Sequence, residues 1–272
     1  MPAIDPARLA HEIELLRAEG ESPAGLAQRA LDSLELYADR ARRPRGGAVP
    51  GEGAWVLGVP RPVQRALATA LQGQMGGQEA VALETASLLW GAGHREARML
   101  AASVLGPLQS GRVADWVEAR APACDDPEVL AELAGRGLAG WRAKAPQALL
   151  DRIEGWLRVS DQGLRAFAIA ALTAHVQDSL FEDLPSVFRL LRSVTPPARG
   201  PLLRAQRKLV ETLAMRSAPE TARYLLDELA AGKAGVSRLT RQVLPSFPLR
   251  QRHLLEEALS EQMRPGIIRS SE

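Results

Sequence analysis

The sequence predicts an all-α fold, a curved array of short antiparallel helix pairs, and three observations predict it. First, of 272 residues 45 are alanine and 41 leucine, whereas isoleucine (6), threonine (7), phenylalanine (4) and tyrosine (2) are scarce. That balance favours helices over sheets. Second, apolar residues recur at helical period along nearly the whole chain. Third, start signals with proline near the first helical position punctuate it at Asp5-Pro6, Ser22-Pro23, Asp126-Pro127 and Ala218-Pro219-Glu220. Proline fits there because the first turn has no intrahelical use for the N–H it lacks.

Taken in order, these signals place roughly thirteen helices, at about 5–18, 24–42, 61–74, 78–91, 94–106, 111–120, 127–140, 146–158, 161–177, 181–194, 200–216, 219–231 and 236–262. The last carries a break at Pro245 to Pro248. The helical beat is clearest in Leu164, Phe167, Ala168, Ala171, Leu172 and His175, and again in Leu202, Leu203, Gln206, Leu209, Val210 and Leu213. Short helices joined by turns of a few residues are the units of HEAT-type solenoids, although no strict repeat is present. The expected organisation is an N-terminal helical pair (1–43), a flexible loop rich in glycine and proline (44–54), a HEAT-like repeat array (55–262) and a C-terminal tail (263–272).

One cysteine, Cys124, excludes intrachain disulfides and thiolate zinc clusters. The four histidines, His11, His94, His175 and His253, have no partners at helical spacing. No metal and no cofactor is expected, and His175 reads as a core residue. With 24% charged and 46% hydrophobic residues the chain lies outside the disordered class. No long apolar run and no basic-then-apolar leader occurs, so the expectation is a soluble cytoplasmic, nucleoid-associated protein without a membrane partner.

The formal net charge of +2 hides an uneven distribution. Residues 1–39 hold 3 basic and 8 acidic side chains, 40–112 hold 9 and 4, 113–188 hold 7 and 12, and 189–252 hold 13 and 4. No acid occurs between Asp183 and Glu211, a stretch that contains Arg189, Arg192, Arg199, Arg204, Arg207 and Lys208. Arg204, Arg207 and Lys208 share one helical face, and Arg238 and Arg241 are spaced likewise. A solvated face with salt bridges is one reading of this stripe, but Arg189 and Arg204 have no acid at i±3 or i±4. The other reading is a phosphate-binding surface, for which arginine's planar fork is suited. Arg42, Arg43, Arg45 and Arg165 are further candidates for it.

Gly135-Arg-Gly137-Leu-Ala-Gly140 matches G-x-G-x-x-G in letters only, because it follows a helical segment rather than a strand, and it reads as a helix end. Trp90, Trp116, Trp141 and Trp156 lie on helices and read mainly as packing residues, with one edge of Trp116 and Trp156 at a polar boundary.

Three segments together resemble the AlkD-like DNA alkylation repair family. They are Trp55-Val-Leu-Gly-Val-Pro-Arg-Pro-Val-Gln-Arg65, Leu89-Trp90-Gly-Ala-Gly-His94-Arg95-Glu96-Ala-Arg98-Met-Leu-Ala101, and Trp156-Leu-Arg-Val-Ser-Asp161-Gln-Gly-Leu-Arg165-Ala-Phe-Ala-Ile169. The resemblance covers roughly residues 50–230 and implies a curved HEAT-like array that binds DNA. It also implies, for active members, excision of alkylated purines with a carboxylate steadying an oxocarbenium-like transition state and indoles facing the cationic lesion. Ungapped alignment from Trp156 puts that carboxylate at Ala131, the motif's second arginine at Ala166, and its tryptophans at Gly163 and about Leu209. Only a shift of several residues brings Asp125 or Asp126 into the acid's place. Beside Pro127 these two aspartates also read as cap and first-turn acids.

The function expected first is therefore a DNA-binding protein of the alkylation-repair type. It would grip the backbone of damaged, bent or branched DNA with an arginine-rich concave face, without base excision. Two alternatives stand beside it. One is a divergent alkylpurine glycosylase using Asp125 or Asp126, and the other is a helical scaffold binding a protein through the acidic segment 113–161.

Overall fold

The computed structural model describes residues 4–39, 55–197 and 199–263, and every extended element among them is helical. The expected loop at 44–54 and the tail from 264 onward lie outside the described residues. No helix of the described residues is long and apolar enough to cross a membrane. The chain divides into two compact units, Met1–Leu150 and Asp151–Glu272.

The first unit contains α1 (Pro6–Ala18), α2 (Pro23–Leu36), α3 (Arg61–Met75), α4 (Glu79–Gly91), α5 (Arg95–Leu105), α6 (Arg112–Glu118), α7 (Pro127–Glu132), α8 (Ala139–Lys144) and the start of α9 (Pro146–Arg158). The helix starts follow capping chemistry, because the first N–H groups of a helix have no intrahelical acceptor. Asp5 accepts the N–H of Ala7 at 3.0 Å and Ser22 that of Gly25 at 3.3 Å. Alternate helices are neighbours: α1 packs on α3, α3 on α5, α5 on α7, and α2 on α4. Between them Leu16, Leu26, Leu34, Leu67, Leu71, Leu89 and Leu105 are fully buried. Each such leucine contributes on the order of 1.5–3 kcal/mol.

Two helix boundaries depart from the sequence reading. The second helix ends at Leu36 instead of running to 42, because the chain turns away and the N–H of Asp39 bonds to the carbonyl of Leu57 at 3.0 Å. The helix expected over 127–140 is broken, with a single π turn (Leu133–Gly137) between α7 and the separate helix α8. Gly140, just after the break, lies against a neighbouring turn. The N–H of Gly140 bonds to the carbonyl of Gly106 at 2.7 Å, and a Cβ on Gly140 would stand 2.6 Å from the carbonyl oxygens of Gly106 and Leu108. The G-x-G-x-x-G stretch thus serves close backbone packing. Arg142 donates to the carbonyls of Ala134 and Gly135 at 3.3 and 3.0 Å, satisfying acceptors of the irregular turn.

The second unit contains the rest of α9, then α10 (Gln162–Gln177), α11 (Leu184–Arg192), α12 (Pro201–Arg216), α13 (Ala218–Ala230), α14 (Val236–Val243) and α15 (Leu249–Met263). Asp161 caps α10 by accepting the N–H of Leu164 at 2.7 Å. α12 packs between α10 and α14, and α13 packs on α15. Phe167, Leu172, Leu209, Leu213, Leu225 and Leu255 form the fully buried core, and His175 is buried with them beside Phe181. The break expected at Pro245 to Pro248 is present, as a 3-10 turn over Leu244–Ser246. Arg216 ties the α10–α11 connection to the end of α12 by donating to the carbonyls of Asp178, Ser179 and Phe181 at 3.3, 3.0 and 2.8 Å.

Trp116 and Trp156 are packing residues as read, buried at 7% and 2% exposure, and the edge read at a polar boundary is covered as well. Trp116 packs edge-on against Trp90 at 5.4 Å and donates its indole N–H to Ser87 at 2.9 Å, while Trp156 packs edge-on against Phe167 at 5.4 Å. A helical stripe shows which face is apolar but not how deep the neighbouring helix buries it.

Candidate nucleic-acid interface

The first two sequence segments that carry the resemblance meet at the start of α5. Its cap is His94, whose Nδ1 accepts the N–H of Ala97 at 3.2 Å. The following Arg95 donates its backbone N–H to the carbonyl of Trp55 at 2.9 Å. Glu96, only 3% exposed, accepts the N–H groups of Leu57 and Gly58 at 3.0 and 2.8 Å. A buried carboxylate is retained when such charge-assisted bonds replace its hydration. The segment 55–60 is thereby fixed ahead of α3. Burial lowers the His94 pKa, with Arg98 adding to that and Glu96 and Glu35 opposing it. The ring is held neutral, as an acceptor nitrogen in a cap requires.

From this point a chain of alternating charges runs across three helices. Arg95 Nε donates to Asp126 at 2.6 Å, a second nitrogen of Arg95 lies 3.5 Å from Glu128, and Arg61 lies 3.3 Å from the other oxygen of Glu128. Burial works against the charge on Arg95, but the hydrogen bond and charge of Asp126 outweigh it and the pKa rises. Asp126 is also the cap of α7, accepting the N–H groups of Glu128 and Val129 at 2.9 and 3.3 Å. Its side chain, 6% exposed, is therefore committed to two backbone donors and one guanidinium. Asp125 beside it is exposed. Cys124 is buried, and desolvation pushes its thiol up to about 11, so it stays a thiol at neutral pH.

At the end of this chain α3, α5, α7 and the π turn enclose a cleft of about 370 Å³. Its rim carries Arg61, Arg65 and Arg136, with Glu132 paired to Arg136 at 2.9 Å. Met99, Leu100 and Ser103 line it from α5, and Gln64 from α3. The sequence reading did not single out this cleft. Arg61 and Arg65 stand at i and i+4 without an acid nearby in sequence, and this spacing marks one cationic face of α3 but not the cleft beneath it.

In the second unit the expected basic residues fall on three neighbouring helices. Arg165 is half-buried on α10, with its Nε inaccessible and without a hydrogen-bond acceptor. Arg204, Arg207 and Lys208 are exposed on α12, and Arg238 and Arg241 are exposed on α14. Arg207 lies 3.4 Å from Glu211, a pair the sequence allowed. Arg189, which has no acid at i±3 or i±4, meets Glu154 of α9 at 3.1 Å, while Arg192 meets Asp227 at 2.9 Å. These partners come from other helices, beyond the reach of an i±4 search. Arg42, Arg43 and Arg45 lie outside the described residues.

The acidic segment 113–161 is largely consumed internally. Asp126 and Glu128 face Arg95, Glu132 faces Arg136, and Glu154 faces both Arg158 and Arg189. No group of three or more His, Cys, Asp or Glu side chains that could hold a metal occurs among the described residues.

The described residues form an all-helical protein in which alternate helices pack as neighbours and several arginines lie on exposed helical faces. A family model described as DNA alkylation repair enzyme matches residues 30–195, and the chain belongs to that family. The match begins in α2 and ends just beyond α11, so α12 and α14 lie outside it. No curated protein and no solved structure gives a match to the chain.

Proposed function

We propose that this protein binds the phosphate backbone of damaged, bent or branched DNA through the arginine-rich surface of α10, α12 and α14, and does so without excising a base. The observation that carries the reading is the exposed cationic face of α12. Among the described residues Arg204 and Lys208 have no ion pair, and Arg207 has only a long contact to Glu211. Such side chains keep their hydrogen-bonding capacity for phosphate oxygens, and each phosphate neutralised releases counterions. Family membership supports DNA as the polymer.

The chemistry around α7 supports the reading without excision. Ala131 stands where the resemblance aligns the acid, and the nearest buried carboxylate, Asp126, is occupied by two backbone N–H groups and Arg95. A carboxylate steadies a developing positive charge only when its lone pairs face the reacting sugar. The test is a gel shift with linear, nicked, branched and alkylated duplexes, followed by assay of released base. The reading expects binding that weakens steeply with salt and no release of 7-methylguanine. Release that is abolished by the joint change of Asp125→Asn and Asp126→Asn would establish the glycosylase instead.

A further inference from the structure

We infer that the cleft between α3, α5 and the π turn is a seat for a single unpaired nucleotide of a DNA strand. This rests on the DNA-binding reading above and gives it a substrate class. Size argues first. About 370 Å³ is far more than one phosphate group fills, lies within the range of pockets that enclose small organic ligands, and is too small for a duplex.

The chemistry of the lining argues next. Met99 and Leu100 form a narrow apolar floor on the α5 side, only 4% and 1% exposed, and the Met99 sulfur accepts from Arg61 at 3.6 Å. Both suit the edge of an aromatic ring. Above them the rim holds three guanidiniums against one glutamate. Arg65 is exposed and forms no ion pair among the described residues, while Arg61 and Arg136 make ion pairs through half-exposed guanidiniums, which are weak and exchange readily for a phosphate. Guanidiniums chelate phosphate oxygens and also stack on bases.

Polar edges complete the site. Gln64, 9% exposed, donates its amide N–H to the carbonyl of Val59 at 2.8 Å, which leaves its carbonyl oxygen to accept from a base. Ser103, 4% exposed, donates to the carbonyl of Met99 at 3.0 Å and keeps its acceptor lone pairs. A cationic rim, two acceptors and a narrow apolar floor together match a base edge joined to its phosphate. A nucleotide already out of the stack enters at least cost, because no pairing or stacking energy is lost.

The shared chemistry, a nucleoside monophosphate unit, has two sources, a strand or the free nucleotide, and the experiment separates them. Fluorescence anisotropy is measured for the full-length protein with three labelled duplexes of equal length: one with a single bulged adenine, one with an abasic site in the bulge, and one fully paired. Free dAMP is added as competitor. The bulged adenine is expected to bind about tenfold tighter than the other two, the value of one base stacked on a protein surface. Arg65→Glu and Arg136→Gln are each expected to bring that ratio towards one. Equal affinity for all three duplexes, or a ratio untouched by both variants, overturns the inference while leaving the DNA reading in place. Binding to none of the duplexes at low salt overturns both. Competition by free dAMP as effective as the bulged duplex assigns the cleft to a soluble nucleotide and overturns the strand-borne occupant.

Discussion

The carboxylate of Glu96 accepts the backbone N–H of Gly58 at 2.8 Å, and through its second oxygen that of Leu57 at 3.0 Å. Two segments far apart in sequence are joined by one buried side chain. Glu96→Ala leaves two N–H groups unsatisfied, and stability is expected to fall by about 2–4 kcal/mol. Glu96→Gln retains one acceptor oxygen and is expected to lose roughly half as much. Urea unfolding followed by circular dichroism measures both, and equal stability of the alanine variant and the parent would remove the clamp's importance.

Asp126 is a cap and an ion-pair partner in this structure. Asp126→Asn keeps the cap and loses the charge opposite Arg95, for an expected cost of about 1 kcal/mol, whereas Asp126→Ala loses both and costs about 3 kcal/mol. Neither change is expected to alter DNA affinity at a temperature where the variant stays folded. A large loss of binding in the asparagine variant, with the helix content intact, would place Asp126 in the DNA contact.

The two glycines at the ends of the G-x-G-x-x-G stretch are expected to respond in opposite ways. Nothing lies within 4 Å of a Cβ on Gly135, so Gly135→Ala is neutral or stabilising by up to about 1 kcal/mol. Gly140→Ala places a methyl against backbone carbonyls at 2.6 Å and destabilises by about 1–3 kcal/mol. Thermal melting of the two variants decides this, and an equal effect would contradict the close packing.

His94 makes stability depend on pH in a definite direction. Its folded pKa is lowered below the ordinary value of 6.5, first by burial, so the unfolded chain binds a proton more readily than the folded one. The stability it supplies is complete above pH 6.5 and is lost as pH falls from there towards the lowered value. Urea midpoints at pH 7.5 and 5.5 are expected to drop on acidification, and to drop less in His94→Asn, which keeps a capping oxygen without the titration. An identical pH response in the variant would assign the effect to another group.

Helix starts were legible in the sequence because capping is local chemistry. Asp5, Ser22 and Asp126 each sit within three residues of the N–H they accept, and each is a cap in the structure. The glycines at 135 to 140 were legible as a helix end, but the π turn and the new helix at Ala139 were not, since the packing of Gly140 depends on the distant turn at Gly106 to Leu108. The pairing of Arg189 with Glu154 was hidden for the same reason. Exposed basic faces on α12 and α14 followed directly from helical period and charge. The cleft did not, because its rim and lining come from separate helices that only packing brings together.

The salt dependence of binding to a branched duplex tests the phosphate contacts of α12 most directly. A double change of Arg204→Ala and Lys208→Ala is expected to weaken binding and to reduce the slope of log K against log salt by about 2, one unit for each lost phosphate contact. Arg189→Ala, whose guanidinium already faces Glu154, is expected to leave the slope nearly unchanged. An unchanged slope in the double variant, or an equal reduction in Arg189→Ala, would contradict DNA binding through this face.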